Sequence, residues 1–234
     1  MEMLLRGLLH ELRNPLSSIL TAATLLHDST LADTNDESQM LLDVVKKESL
    51  RLNHILTEFA GYIKLPPPQP HAFDITQSVR NTIRQLQREK VLLESIRIMD
   101  EMPESCFVWA DESQIRTALS HILRNASEAM PDGGELRLTS SNDGSSESTI
   151  LCVMDSGKGF TEESKDRAFQ PFYSGKAHSM GLGLSTTRSL IEAGLGRVWL
   201  EDNADANPAQ TQNTNGFAPT SPMRICFELP LAKS

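Results

Sequence analysis

Two heptad seams, one after the other at the start of the chain, constrain its folding more than any other feature. Leu5, Leu9, Leu12, Leu16, Ile19, Ala23 and Leu26 recur at alternating steps of four and three. Leu42, Val45, Ser49, Leu52, Leu56, Phe59 and Ile63 repeat the pattern, flanked by Leu41, Ile55 and Tyr62. That spacing keeps one apolar stripe of a helix turned towards a partner helix. Between the seams, His27 to Glu37 is rich in Asp, Thr, Ser and Asn and reads as a turn, with a helix N-cap near Asp36. The result is an antiparallel helical hairpin. So much apolar surface exceeds what two helices bury between themselves. The smallest closed arrangement is a two-fold dimer forming a four-helix bundle. Packing of both helices on the rest of the same chain is the alternative.

Pro66, Pro67, Pro68 and Pro70 end the second helix and make a stiff connector. Beyond it the pattern changes. Helices are expected over Ile75 to Lys90, Glu112 to Met130 and Ser185 to Ala193. Strands are expected at Cys106 to Trp109, Glu135 to Ser140, Thr149 to Met154, Arg197 to Glu201 and Arg224 to Leu229. The fold class is therefore α+β: a helical hairpin dimerising into a four-helix bundle, then a sandwich with a sheet covered by helices on one face. The expected limits are 1–66 for the hairpin, 67–71 for the proline linker and 72–234 for the sandwich. Asn203 to Gly216 is polar and reads as a surface loop.

The 22 basic against 31 acidic residues give a formal net charge of -9. That excludes nucleic acid as an expected partner, because phosphate backbones require clustered Lys and Arg. No apolar run approaches the roughly 20 residues that span a bilayer, so no membrane contact is expected from this segment. Met1 to Leu9 has too short an apolar patch for a secretory signal. Cys106, Cys152 and Cys226 are far apart, odd in number and without metal-ligand spacing. They read as ordinary packing residues in a reducing compartment, and the chain as cytoplasmic.

Several residue groups carry chemistry. His10 follows seam residue Leu9 at the edge of the apolar stripe, and an imidazole is a competent nucleophile at neutral pH. Glu11 can take the proton of the other ring nitrogen. Asn14 lies one turn further along, and Pro15 bends the helix beside the histidine. Asn125 has small Ala126 and Ala129 beside it on a helix, where an amide oxygen suits Mg²⁺. Asp155 follows an apolar strand and can accept a hydrogen bond from an amine such as that of adenine. Gly157 and Gly159 allow close backbone approach to a ligand. Gly181, Leu182 and Gly183 open a helix whose N–H groups form a phosphate cradle. Taken singly, each group also fits a plain helix surface or turn. Their order and spacing together are specific.

On these motifs the chain resembles the orthodox bacterial sensor histidine kinases over nearly its whole length. His10 to Pro15 looks like their phosphoacceptor box, and Asn125 like the Mg²⁺-binding asparagine. Asp155, Gly157 and Gly159 resemble the adenine-binding box. Phe169 to Tyr173 looks like the aromatic box of the ATP lid, and Gly181 and Gly183 like the last glycine box. Leu229-Pro230-Leu231 resembles the closing strand.

The resemblance implies a dimerisation and phosphotransfer domain followed by an ATP-binding sandwich of the gyrase and heat-shock type. It further implies autophosphorylation of His10 with ATP and Mg²⁺, and transfer to an aspartate of a response regulator receiver domain. Phosphatase activity on that regulator would use Asn14. Lys176, in the lid from Phe160 to Met180, would pair with phosphates or remain a solvated lysine. Few apolar residues besides Phe169, Phe172 and Tyr173 anchor that lid, so it should open at little cost. Two positions depart from the pattern: His121 stands where a second asparagine is common, and Ser179 where a further glycine is common. Gyrase-type ATPases would carry a glutamate base at position 121.

Overall fold

The computed structural model describes residues 2–27, 35–142, 147–176, 179–202 and 223–232. The chain forms two compact units: Met1–Leu65 with Pro171–Leu182, and Pro66–Gln170 with Gly183–Ser234. The turn expected over His27 to Glu37 lies largely outside the described residues, as does the polar loop at Asn203 to Gly216.

In the first unit, α1 (Glu2–His27) and α2 (Asn35–Ile63) form the hairpin, so Asp36 falls in the first turn of α2. The two seams are each divided lengthwise. Leu12, Ile19 and Leu26 of α1, with Pro15 and Ala22, are buried or half-buried. So are Val45, Leu52 and Phe59 of α2, with Leu41, Ile55 and Tyr62. Other heptad positions face outward: Leu9 is 60% exposed, Leu16 52%, Leu42 51%, Leu56 50% and Ile63 50%. Ala23 and Ser49 continue the same two rows. Each helix thus presents one exposed residue in every seven along a single face.

The segment Pro171–Leu182 belongs to this unit because its apolar side chains have found the hairpin. Met180 and Leu182 are buried with Ile55, against Leu8, Leu12, Phe59, Tyr62 and Phe172. Phe172 adopts φ +63°, and its ring centroid lies 6.4 Å from that of Phe59. A Cβ on Gly7 would stand 2.6 Å from the Phe172 ring, so glycine at position 7 is what admits it.

The second unit runs β1 (His71–Asp74), α3 (Ile75–Arg88), β2 (Ile96–Glu101), β3 (Phe107–Ala110), α4 (Glu112–Ala129), β4 (Gly134–Ser141) and β5 (Ser148–Asp155). It continues with α5 (Glu162–Arg167), α6 (Gly183–Ala193), β6 (Arg197–Asp202) and β7 (Met223–Pro230). Aspartates start two of the helices. Asp74 accepts from Thr76 N at 3.0 Å at the head of α3, and Asp111 from Ser113 N at 2.9 Å at the head of α4. Each such cap satisfies a backbone donor that the first turn leaves without a helical partner. The apolar stripe Ile75, Val79, Ile83 and Leu86 buries α3, and Ile115, Leu119, Ile122 and Leu123 bury α4.

The main sheet has the order β2-β4-β5-β7-β6, with β2 parallel to β4 and the other pairs antiparallel. A second, two-stranded sheet pairs β1 with β3. Leu136, Leu138, Leu151, Val153, Ile225, Phe227 and Val198 form the buried face beneath the helices. Full burial of a side chain such as Phe227 or Leu138 contributes about 1.5–3 kcal/mol. Strand alternation turns the intervening residues to the opposite face, where Thr139, Cys152, Cys226 and Trp199 stand in one row across four strands.

Helices and strands expected from periodicity stand where they were placed, within two residues at each end. Three elements were not expected: β1, β2 and α5. The cysteines require a correction. Cys152 and Cys226 are joined in a disulfide across 74 residues, because the β5–β7 register sets them directly opposite each other. Cys106 is free.

Candidate active site

The site in the second unit is built where β5 ends beside α4. Asp155 is the last residue of β5 and shares its face with Leu151 and Val153, the face covered by helices. Its Oδ1 accepts from Gly157 N at 2.9 Å, which closes the turn after the strand. Gly157 is pressed against the last turn of α4. A Cβ added there would stand 2.6 Å from Ala129 Cβ and 2.8 Å from Ala129 O. Asn125 is one turn earlier on the same ridge of α4, and its side chain is half-buried. The ridge that carries the candidate metal amide is thus the ridge that Gly157 abuts. Gly159 has φ +64°, a conformation that glycine adopts without Cβ strain.

The other end of the site is the start of α6. Gly183 is its first residue, and a Cβ built on it would lie 3.5 Å from His121 Nδ1 on α4. Thr187 ties the two helices, donating to Gly183 O at 3.0 Å and Ala118 O at 3.4 Å. The first N–H groups of α6 lack helical partners and suit an anion. Burial pushes the His121 imidazole below its ordinary pKa, and Arg124 adds to the effect, so the ring is held neutral.

Lys176, Gly181 and Leu182 belong to the segment grouped with the hairpin. Gly181 has φ +66°, and a Cβ there would come within 2.3 Å of Tyr173 O. Any other residue would push the Tyr173 backbone away. Lys176 is half-buried, and its backbone N–H donates to Ser174 Oγ at 3.0 Å. His10, Glu11 and Asn14 all lie on α1, with Glu11 half-buried and Asn14 exposed.

Sequence reasoning missed three contacts. These are Ala129 against Gly157, His121 against Gly183, and Arg188, whose guanidinium sits 4.3 Å from the centroid of the buried Phe169 ring. The small residue one turn after Asn125 was the available signal for the first. Among the described residues of the lid from Phe160 to Met180, Ala168 (4% exposed) and Met180 (4%) are buried in addition to the expected anchor Phe169 (7%).

Residues 110–233 match the family model described as histidine kinase-, DNA gyrase B- and HSP90-like ATPase. Residues 1–62 match the His Kinase A phospho-acceptor domain. Sporulation kinase E of Bacillus subtilis (strain 168) is 30% identical over 202 residues, covering 83% of this chain and 26% of that protein. Sensor histidine kinase ZraS of Escherichia coli (strain K12) is 29% identical over 189 residues, covering 80% of this chain and 39% of that one. The chain therefore spans between a quarter and two fifths of these relatives' length. A solved structure of histidine kinase ThkA in complex with response regulator protein TrrA aligns with TM-score 0.72 and 25% identity, covering 99% of this chain and 61% of that one. Among the described residues, no helix is long and apolar enough to cross a membrane.

Proposed function

Because this chain belongs to the histidine kinase-, DNA gyrase B- and HSP90-like ATPase family and carries a His Kinase A domain ahead of the ATPase domain, we propose that it is a sensor histidine kinase core that phosphorylates its own His10 from ATP. The observation that carries this reading is the α4–β5 corner, where Gly157 meets Ala129 one turn from Asn125 and Asp155 is held by Gly157 N. It stands in the same chain as a histidine on a heptad hairpin.

Asp155 accepts from the adenine amine, and Gly157 and Gly159 let the base and sugar approach the backbone. The first N–H groups of α6, from Gly183, hold the phosphates, and the glycine-box and lid motifs assign Gly181, Leu182 and Lys176 to the same task. Mg²⁺ fits the amide oxygen of Asn125, a hard donor on a half-buried ridge, and when bound supplies charge neutralisation at the phosphates. The His10 imidazole nitrogen attacks the γ-phosphorus in line, the bond to the β–γ bridging oxygen breaks, and ADP leaves. Glu11 takes the imidazole proton. The phosphoryl group then passes to an aspartate of a response regulator receiver domain. Asn14 positions water at the resulting phosphoaspartate for its hydrolysis, which releases inorganic phosphate and restores the aspartate.

The rows Leu9, Leu16, Ala23 and Leu42, Ser49, Leu56, Ile63 support a homodimer, since a second hairpin covers both and closes a four-helix bundle. The working limits are 1–66 for this domain, 67–71 for the linker and 72–234 for the ATP-binding domain, acting in the cytoplasm where ATP is found. The test is labelling with γ-³²P-ATP. Wild type should retain acid-labile, base-stable label, and His10→Gln should retain none while binding nucleotide with an unchanged Kd. Phosphate release without retained label in wild type would favour a gyrase-type ATPase and refute the kinase reading.

A further inference from the structure

We propose that Cys152–Cys226 is a thiol–disulfide exchange site whose redox state sets nucleotide affinity, through the strand that ends at Asp155. The affinity effect rests on the nucleotide reading of Asp155 given above.

The two cysteines are register partners on the neighbouring strands β5 and β7. They lie on the sheet face opposite Leu151 and Val153, between Thr139 of β4 and Trp199 of β6. Cys226 is fully buried, whereas Cys152 is 8% exposed, so an incoming thiolate reaches Cys152 first. Glu201 Oε2 lies 3.5 Å from Cys226 Sγ and 3.0 Å from Arg224 Nε. The ligand atoms of Cys152, Cys226 and Glu201 all lie within 4.8 Å of one another. The Arg224 cation already on that carboxylate disfavours a second cation there and leaves thiol chemistry. A disulfide in an ATP-using compartment, where cellular thiols keep cysteines reduced, is characteristically transient and redox-responsive rather than a permanent staple.

The chemistry balances with a dithiol reductant of the Cys-x-x-Cys class. One of its thiolates attacks Cys152 Sγ, the protein S–S bond breaks, and Cys226 leaves as a thiolate. Cys226 takes a proton and then donates it to Glu201 as a hydrogen bond. The reductant's second thiolate attacks the mixed disulfide and releases Cys152, so the protein gains two electrons and two protons while the reductant becomes a disulfide. Hydrogen peroxide reverses this, two thiols and one peroxide giving the disulfide and two waters.

The link to the site is short. Cys152 precedes Asp155 by three residues on the same strand, and Asp155 is seated by its bond to Gly157 N, itself pressed on Ala129. Reduction removes the covalent tie between β5 and β7 three residues before Asp155, and with it a constraint on the strand end that seats Asp155 against α4.

The test uses the whole chain, treated with hydrogen peroxide or with reduced thioredoxin and then freed of reagent. Titration with a chromogenic disulfide in guanidinium chloride, which exposes every cysteine, should count one thiol, Cys106, after peroxide and three after reduction. Tryptophan emission should rise on reduction, because the disulfide beside Trp199 quenches it. The Kd for a fluorescent ATP analogue with Mg²⁺ should be at least threefold weaker in the reduced form. Three thiols after peroxide, or a Kd ratio below threefold across a confirmed change in thiol count, overturns the proposal. Absence of binding in both states overturns the nucleotide reading beneath it, and is distinct from equal binding in both. The double variant Cys152→Ser/Cys226→Ser should show one Kd in both treatments, and the wild-type comparison stands if that variant does not fold.

Discussion

Gly157→Ala should damage nucleotide binding far more than its single methyl group suggests. The added carbon would lie 2.6 Å from Ala129 Cβ, 2.7 Å from Asp155 Oδ1 and 2.8 Å from Ala129 O. Carbon atoms rest about 3.5–4.0 Å apart, so the overlap is close to 1 Å. The Ala129 carbonyl belongs to the last turn of a helix whose other face is core, and it has no rotamer by which to yield. The turn after β5 must move instead. Overpacking of this kind costs about 1–3 kcal/mol. Moving the turn also breaks the Asp155–Gly157 hydrogen bond, and bonds to a charged acceptor contribute about 1.5–3 kcal/mol. Loss of about 2 kcal/mol from the bound state alone raises Kd roughly thirtyfold. Loss from the fold instead lowers Tm by about 2–4 °C per kcal/mol in a domain of this size. Titration of a fluorescent ATP analogue and a thermal melt, on the same preparation, read both. Gly175→Ala is the control, since nothing lies within 4 Å of the added carbon there. A Gly157→Ala protein with wild-type Kd and Tm would show that the turn does not rest on α4 and would refute the corner described above.

Three further outcomes are expected. Leu16→Glu with Leu56→Glu should dissociate the proposed dimer, raising its Kd more than a hundredfold, because each leucine would lose about 1 kcal/mol of burial per copy; analytical ultracentrifugation reads it. Gly61→Ala should stabilise α2 by about 0.5–1 kcal/mol, because glycine carries an entropic cost in a helix and the new methyl meets nothing within 4 Å; a urea melt checks it. For His121 the folded pKa lies below the unfolded value of about 6.5, so between the two the unfolded chain binds more protons. Its stabilising contribution is therefore full above pH ~6.5 and declines as pH falls towards the folded value; His121→Asn should flatten that decline between melts at pH 7.5 and 5.5.

The sequence by itself determined most of the elements and nominated the candidate site. The four-three spacing from Leu5 to Leu26 and from Leu42 to Ile63 encodes two helices, because apolar periodicity is a property of one segment. Asp155, Gly157 and Gly159 were legible for the same reason, since a carboxylate and two glycines at a strand end announce a turn that a ligand can approach. Tertiary structure alone decided which half of each seam is spent inside the hairpin, leaving Leu9, Leu16, Leu42 and Leu56 outside. It also decided that β2, an unremarkable alternation from Ile96 to Glu101, becomes an edge strand through parallel pairing with β4. Cys152 and Cys226 read as ordinary packing residues until the β5–β7 register set them opposite each other across 74 residues. Met180 and Leu182 gave no hint of their place against Ile55. Each of these depends on pairing between distant segments, where loop closure and register choose among many partners that local sequence makes equally available.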